Sequence, residues 1–420
     1  MTNQDNHLSD YITRECEAWL ETIKPICPIL SIMGPRQSGK TRLIKHFFPH
    51  LPYYDFEKTS TRKLVKKDPE AFVRQNITGA IFDEFQIVPE ITEQLKVIAD
   101  EIIYDVAEYG KGSRDTRFIL TGSHNYLMAG GQVESMVGRA SILELPPLTA
   151  SELPETDIYT LMIKGGYPSL YTQVHETPST FFPRYVNTYI DREVRAVHKI
   201  KQFSAFKNFM SICAGRIGQM INYQSLAQEI GLSQSTIMGW LSILEASYII
   251  FFSPPYYNNF EKSLTSKHKL YFYDTGLAAS FLKAKSPEAL SDPESKIYHL
   301  RGKLFENFVV SEVKKKMLNK GLIMDSTYFW HMETLKKKQE TPEDLYEIDL
   351  LLEDEYALKA IEIKASDTFN PHWFHAGKKL GKLTKVQNFI VYTGPTTQTS
   401  DGIALNFKDI ERLFVDGPKI

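Results

Sequence analysis

The chain is poor in the features that mark secreted, membrane-spanning or broadly nucleic-acid-binding proteins. Its three cysteines, Cys16, Cys27 and Cys213, lie far apart. They make neither a metal pattern nor a disulfide framework, which suggests reduced thiols and a cytoplasmic setting. No apolar run approaches the ~20 residues that span a bilayer, so no membrane partner is expected. The opening stretch, MTNQDNHLSDYITREC, is polar and does not read as a signal peptide. Neither sign of charge dominates: 49 Lys and Arg against 51 Asp and Glu leave a formal net charge of -2. No global field therefore draws the chain to nucleic acid or anionic lipid, and any such binding rests on local patches. Internal repeats and low-complexity tracts are absent. What remains is an ordinary globular composition, 42% hydrophobic over 420 residues, long enough for roughly two to four domains with their own cores.

Against this background one short stretch stands out, SIMGPRQSGKTRLI from Ser31 to Ile44. An apolar run that reads as a buried strand leads into Gly34, Pro35, Arg36, Gln37, Ser38, Gly39, Lys40 and Thr41, and a helical pattern follows. Strand, glycine-rich loop and helix are the context a phosphate-binding loop requires. Backbone N–H groups curl around the β-phosphate, the helix N-terminus adds its positive dipole end, and Lys40 reaches the β- and γ-phosphates. The Thr41 hydroxyl is placed to ligate Mg²⁺.

Five apolar runs, CPILSIM, LPYYDF, GAIFDE, RFILTG and ASILEL, alternate with helical stretches. That alternation predicts a parallel sheet covered by helices. The third run ends in Asp83 and Glu84, with Asp83 expected to support Mg²⁺ and Glu84 to polarise the attacking water. The fourth run ends in TGS, where Thr121 or Ser123 could hydrogen-bond water or the γ-phosphate. Arg139 precedes the fifth run, a position where resemblance to AAA+ proteins implies a guanidinium serving a neighbouring subunit's nucleotide in a homo-oligomer; a surface or internally paired arginine is the alternative.

GPRQSGKT, FDEFQIVPE, LTGS, VGR and LELPPLTASEL together resemble the prokaryotic AAA+-type ATPases that carry an uncharacterised C-terminal domain. The resemblance implies ATP as the nucleotide and the strand order 5-1-4-3-2. It runs through most of the chain and is faintest over residues 155–220.

PPLTASELPET is a natural boundary, and residues 158–200 read as mainly helical, a lid over the nucleotide, with Arg192 and Arg195 most simply surface charges. Then NYQSLAQEIGLSQSTIMGWLSILEASYIIFF shows helix, glycine stop, Ser233 cap, second helix and β-rich run, the grammar of a winged helix-turn-helix. Its only charged residues are Glu229 and Glu245, so phosphate contacts would have to come from the wing lysines Lys262, Lys267 and Lys269. A packing or protein-contact role is the alternative.

The last domain opens with RGKLFENFVVSEVKKKMLNKG, an amphipathic helix whose Glu306 lies away from the lysine-rich face. EIDLLLEDEYALKAIEIKAS reads as two strands around an acidic turn centred between Glu355 and Tyr356. That register sets Asp349 opposite Glu362, with Lys364 on the same face, while Ile348, Leu350, Leu352, Ile361 and Ile363 face a core. The D…E-x-K arrangement resembles the core of restriction-endonuclease-like nucleases. The resemblance implies Mg²⁺ on Asp349, Glu362 and Glu306, with Lys364 orienting water or phosphate. On spacing alone, a solvated hairpin face with cross-strand pairs explains the same residues.

The expected fold is therefore α/β: a P-loop ATPase core over 1–153, a helical lid over 154–205, a winged helix-turn-helix over 206–285 and a restriction-endonuclease-like domain over 286–420. Two function classes follow. One is a Mg²⁺-dependent ATPase whose C-terminal module acts on nucleic acid. The other is an ATP-driven switch that binds a protein partner through an inert nuclease-like domain.

Overall fold

The computed structural model describes residues 11–110, 112–123, 136, 138–189, 202–256, 267–322, 327–331, 346–353 and 358–414. Arg192, Arg195, Lys262 and the Glu355–Tyr356 turn lie outside these. The first unit holds helices α1 (Glu17–Ile23), α2 (Lys40–Phe47), α3 (Thr59–Lys67), α4 (Pro69–Gln75) and α5 (Glu90–Tyr109) around a five-stranded sheet. Its strands are β1 (Ile29–Met33), β2 (Tyr53–Asp55), β3 (Ala80–Asp83), β4 (Phe118–Gly122) and β5 (Ala140–Glu144). Each falls within one of the five apolar runs. The order β2-β3-β4-β1-β5 is the expected one, and its ladders are parallel. β1 is buried along its whole length, as a central strand covered on both faces must be. It therefore delivers the loop at its C-terminal end from a fixed platform.

The chain continues through α6 (Ile158–Lys164), α7 (Ser169–Thr172), α8 (Pro178–Tyr189) and α9 (Phe203–Gly215). Next come α10 (Tyr223–Ile230) and α11 (Gln234–Ala246), joined by Gly231 in the left-handed region, with Ser233 Oγ accepting from the Thr236 N–H. Strands β6 (Ile250–Ser253) and β7 (Lys269–Phe272) pair antiparallel behind them. The exposed residues of α11, Gln234, Ser235, Met238, Gly239 and Ser242, are all uncharged.

After α12 (Thr275–Phe281) and α13 (Pro287–Ser291), helix α14 (Arg301–Asn319) runs through the middle of the molecule, packing against β5, β7 and β10. The last sheet has strands β8 (Thr327–His331), β9 (Glu347–Glu353), β10 (Leu358–Lys364), β11 (Val386–Tyr392), β12 (Thr397–Gln398) and β13 (Ile403–Asn406), in the order β12-β13-β11-β10-β9-β8. Helix α15 (His375–Leu380) covers its outer face. One continuous core joins residues of α6, α8, α9, α11, β7, α14 and β10.

One expectation about faces, that for Ile348, is corrected, and the lysines of α14 prove to be buried. The lysine-rich face of α14 is not solvated: Lys315 and Lys316 are buried among carboxylates and a backbone carbonyl. The ion pairs Lys315–Glu312 and Lys316–Glu15 compensate the burial. The β9–β10 hairpin likewise has both faces covered. Leu350, Leu352, Ile361 and Ile363 join the main core, but Ile348 packs with Trp330, Leu351, Leu358 and Ala360 on the opposite side. The β8–β9 ladder shifts register between Tyr328 and Trp330, and such an irregularity re-aims side chains locally.

Candidate functional site

The loop after β1 owes its shape to two glycines. Gly34 has φ 149, and a Cβ there would lie 2.2 Å from the Leu145 carbonyl oxygen. Gly39 (φ 98) caps α2 in the left-handed region. Between them Ser38 Oγ is buried without a hydrogen-bond partner. Lys40 is almost fully buried, and its ammonium donates to the carbonyls of Gly34 (2.7 Å) and Pro35 (2.9 Å). Arg36 Nη1 lies 3.7 Å from Glu57. The loop borders a pocket of about 580 Å³ whose wall includes Gln37, Lys40, Thr41, Asp83 and Glu84.

Thr41 Oγ1 donates to Asp83 Oδ2 at 3.4 Å, which places the two expected metal oxygens side by side. Hydroxyl and carboxylate oxygens are the donors a hard cation takes, so the pair fits Mg²⁺. Asp83 also accepts from Tyr53 OH and Thr121 Oγ1. Of the two strand-tip candidates, Thr121 thus reaches Asp83, whereas Ser123 Oγ reaches Glu84 Oε2 at 3.4 Å. Glu84 adopts φ 54, ψ 46, a strained conformation for a side chain of its size, and accepts from Gln86 Nε2. Burial pushes its carboxyl above the usual range, outweighing the pull of Lys40 and Arg36.

Sequence reasoning missed several residues of this site. Tyr11, Arg14, Pro168, Thr172, Gln173 and Thr188 all border the pocket. The Gly-Gly-Tyr-Pro run was the one available signal for the lid contribution. Arg139 is not brought to the pocket. Its Nη2 lies 2.9 Å from Asp100 on α5, in an exposed ion pair that its Nε also joins.

The C-terminal residues do converge. Extending the β9–β10 register, in which Ile361 faces Leu350, places Asp349 opposite Glu362, and Asp349 Oδ2 accepts from the Ile363 N–H at 2.8 Å. Glu362 pairs with Lys364, leaving its Oε2 buried without a partner. Glu306 accepts from Tyr271 OH at 2.8 Å.

The cluster also contains an ammonium that the sequence had assigned to a DNA-facing wing. Lys269 is 2% exposed, lies 3.8 Å from Glu306 and pairs with Glu347. That role for Lys269 is therefore excluded in this conformation. Burial acts to lower its pKa, but Asp349, Glu306 and Glu347 outweigh this and hold the ammonium above its ordinary value. Burial first, and the Asp349 charge second, push Glu306 up to about 7 and Glu362 up to about 8. Among the described residues no group of three His, Cys, Asp or Glu side chains is arranged to hold a metal ion. The ammonium groups of Lys269 and Lys364 lie beside the carboxylates expected to hold Mg²⁺.

Among the described residues no helix is long and apolar enough to cross a membrane. Comparison with known proteins matches residues 27–154 to the AAA domain family, residues 155–288 to a domain of unknown function (DUF8612), and residues 301–410 to another (DUF4143). An uncharacterized protein of Mycobacterium tuberculosis is 24% identical over 335 residues, covering 79% of this chain and 70% of that protein. An uncharacterized protein of Haemophilus influenzae is 20% identical over 273 residues, covering 59% and 67% respectively. Among solved structures, the Walker-type ATPase PABY2304 of Pyrococcus abyssi aligns with a TM-score of 0.42 and 14% identity, over 65% of this chain and 96% of that one. A STAND protein of Pyrococcus horikoshii aligns with a TM-score of 0.25 and 13% identity, over 73% and 48%. The phosphate loop, Asp83 and Glu84 all lie within the stretch that matches the AAA domain family, and that stretch precedes the matches to two domains of unknown function.

Proposed function

We propose that the chain is a Mg²⁺-dependent ATPase that acts as a switch, coupling ATP hydrolysis to the binding of a protein partner. The observation that carries the ATPase half is the convergence of Lys40, Thr41, Asp83 and Glu84 on one pocket. Gly39, Lys40 and the start of α2 bind the phosphates, and Lys40 exchanges its two carbonyl partners for phosphate oxygens. Mg²⁺ held by Thr41 and Asp83 would neutralise charge on the phosphates. Glu84, once ionised, orients water and takes its proton as the water oxygen bonds to the γ-phosphorus and the bond to the ADP oxygen breaks. Ser123 and Gln86 hold the Glu84 carboxylate.

The switch half is supported by the Lys269 ammonium at the carboxylate cluster and by the uncharged face of α11. Cations supply most sequence-independent affinity for nucleic acid; the exposed residues of α11 offer none, and Lys269 is buried against carboxylates. The competing reading is nucleic-acid cleavage by Asp349, Glu362 and Lys364; it draws its support from their shared strand face. Parallel assays of ATP turnover and plasmid nicking, with and without Mg²⁺, test both. ATP turnover without nicking is the expected result. Nicking that disappears in Asp349→Ala overturns the switch, and absence of Mg²⁺-dependent turnover overturns the ATPase.

A further inference from the structure

Arg14 precedes α1, far in sequence from the phosphate loop, yet its side chain is 4% exposed and fully engaged. Its Nη1 donates to the Ser38 carbonyl at 2.9 Å, Nη2 to the Pro146 carbonyl at 2.8 Å, and Nε to Glu152 Oε1 at 3.0 Å. Only a guanidinium offers donors in so many fixed directions at once. The Ser38 carbonyl and the Gly39 N–H belong to one planar trans peptide and point to opposite sides of it. Holding that carbonyl therefore sets the direction of an N–H inside the phosphate loop.

The far side of the clamp leads to the C-terminal domain. Glu152 Oε1 also accepts from the Glu15 N–H at 2.7 Å, and its Oε2 accepts from the Thr149 N–H at 2.8 Å. The Glu15 carboxylate pairs with Lys316 of α14 at 2.8 Å, and Lys316 pairs in turn with Glu411 at 3.0 Å. Nearby, α14 grips the same linker through Glu312, which accepts from the Ala150 N–H at 2.7 Å, and Lys315, which donates to the Leu148 carbonyl at 3.1 Å. The segment from Pro146 to Glu152 is held by Arg14 on the nucleotide side and by α14 on the other.

We propose that Arg14 is a positioning residue of the phosphate loop, and that the chain Arg14–Glu152–Glu15–Lys316 couples the loop's nucleotide state to the C-terminal domain. The inference rests on the reading of Gly34–Thr41 as a nucleotide site and deepens it. Coupling of this kind requires a contiguous set of contacts whose members respond non-additively to removal. Every contact in this chain is a hydrogen bond or ion pair of 3.0 Å or less.

The test is titration of the full chain with a fluorescent ADP analogue. Arg14→Ala is expected to weaken binding by roughly tenfold or more, the size typical of losing a group that orients a ligand-binding residue. Millimolar guanidinium ion should restore much of that affinity in Arg14→Ala and none in Lys40→Ala. Arg14→Lys, which keeps the charge near Glu152 but loses the fork, should fall between. Lys316→Ala should weaken binding several-fold in the wild type and add nothing in the Arg14→Ala background. Binding by Arg14→Ala within twofold of wild type, while Lys40→Ala loses it, overturns the positioning role. A loss that guanidinium does not rescue also overturns it, as does an Arg14→Ala unfolding transition that has collapsed. Additive losses for Arg14 and Lys316 overturn the coupling. Normal binding by Lys40→Ala would instead sink the nucleotide reading on which both rest.

Discussion

Lys269 Nζ lies 3.8 Å from Glu306 Oε1, so an ammonium of the β6–β7 hairpin stands inside the carboxylate cluster of the C-terminal domain. Removing one partner of a buried pair costs far more than the pair contributes, because the remaining charge is left uncompensated. Lys269→Met is therefore expected to destabilise the protein by about 3 kcal/mol. Lys269→Met combined with Glu306→Gln should recover a large part of that loss. Urea unfolding of the single and double variants measures both. A single variant as stable as wild type would remove Lys269 from any structural role.

The same cluster predicts the direction of a pH effect. Glu306 and Glu362 are pushed up to about 7 and about 8 from an ordinary 4.5, by burial and then by Asp349. The folded chain holds these protons more tightly than the unfolded chain does. Their contribution to stability is therefore complete below pH 4.5 and is lost as pH rises through the folded values of 7 to 8. Lys269 and Lys364 are held above 10.5, so they stay charged across this window. Urea midpoints should fall between pH 5.5 and 8.5, and the fall should be shallower in Glu306→Gln/Glu362→Gln; equal slopes for the two proteins would refute the assignment.

Much of this architecture is legible in the sequence where the determinants are local. The phosphate loop is a contiguous run whose glycines are demanded by the backbone itself. The β9–β10 register follows from one turn position, and it puts Asp349 opposite Glu362 as counted. What the sequence hides is long-range pairing of charge. Lys269 sits in a lysine-rich stretch that looks solvated, yet it is buried among Glu306 and Glu347, remote in sequence. Lys315 and Lys316 look like an exposed helix face until Glu15, Glu312 and Glu411 are folded against them. Arg14 carries no motif at all; its three partners lie 24, 132 and 138 residues away. Hydrophobic periodicity reports which face is apolar, and it is silent about which polar face finds a buried counter-charge.

Lys40 and Glu84 separate binding from chemistry. Lys40→Ala removes the cation proposed to meet the β- and γ-phosphates and should weaken ATP binding. Glu84→Gln keeps the phosphate and metal contacts and should bind ATP normally while turnover falls by roughly 100-fold or more. Because burial raises the Glu84 carboxyl, wild-type turnover should rise with pH as that group ionises, and the residual activity of Glu84→Gln should lack this limb. Normal hydrolysis by Glu84→Gln would remove Glu84 from the chemistry.

Arg139 poses the remaining question at the nucleotide site, since in its own chain it faces Asp100 and not the pocket. If a neighbouring copy receives the guanidinium, specific ATPase activity must rise with protein concentration, because each pocket is completed only on assembly. Asp100→Asn removes the carboxylate of this ion pair and keeps the guanidinium. It should preserve that rise, whereas Arg139→Ala should flatten it and leave nucleotide affinity unchanged. Turnover measured over a hundredfold range of protein concentration, alongside light scattering, distinguishes these cases. A rate independent of concentration in a monomeric wild type would leave Arg139 as a surface ion pair with Asp100. A concentration-dependent rate that survives Arg139→Ala would place the completing residue elsewhere on the interface.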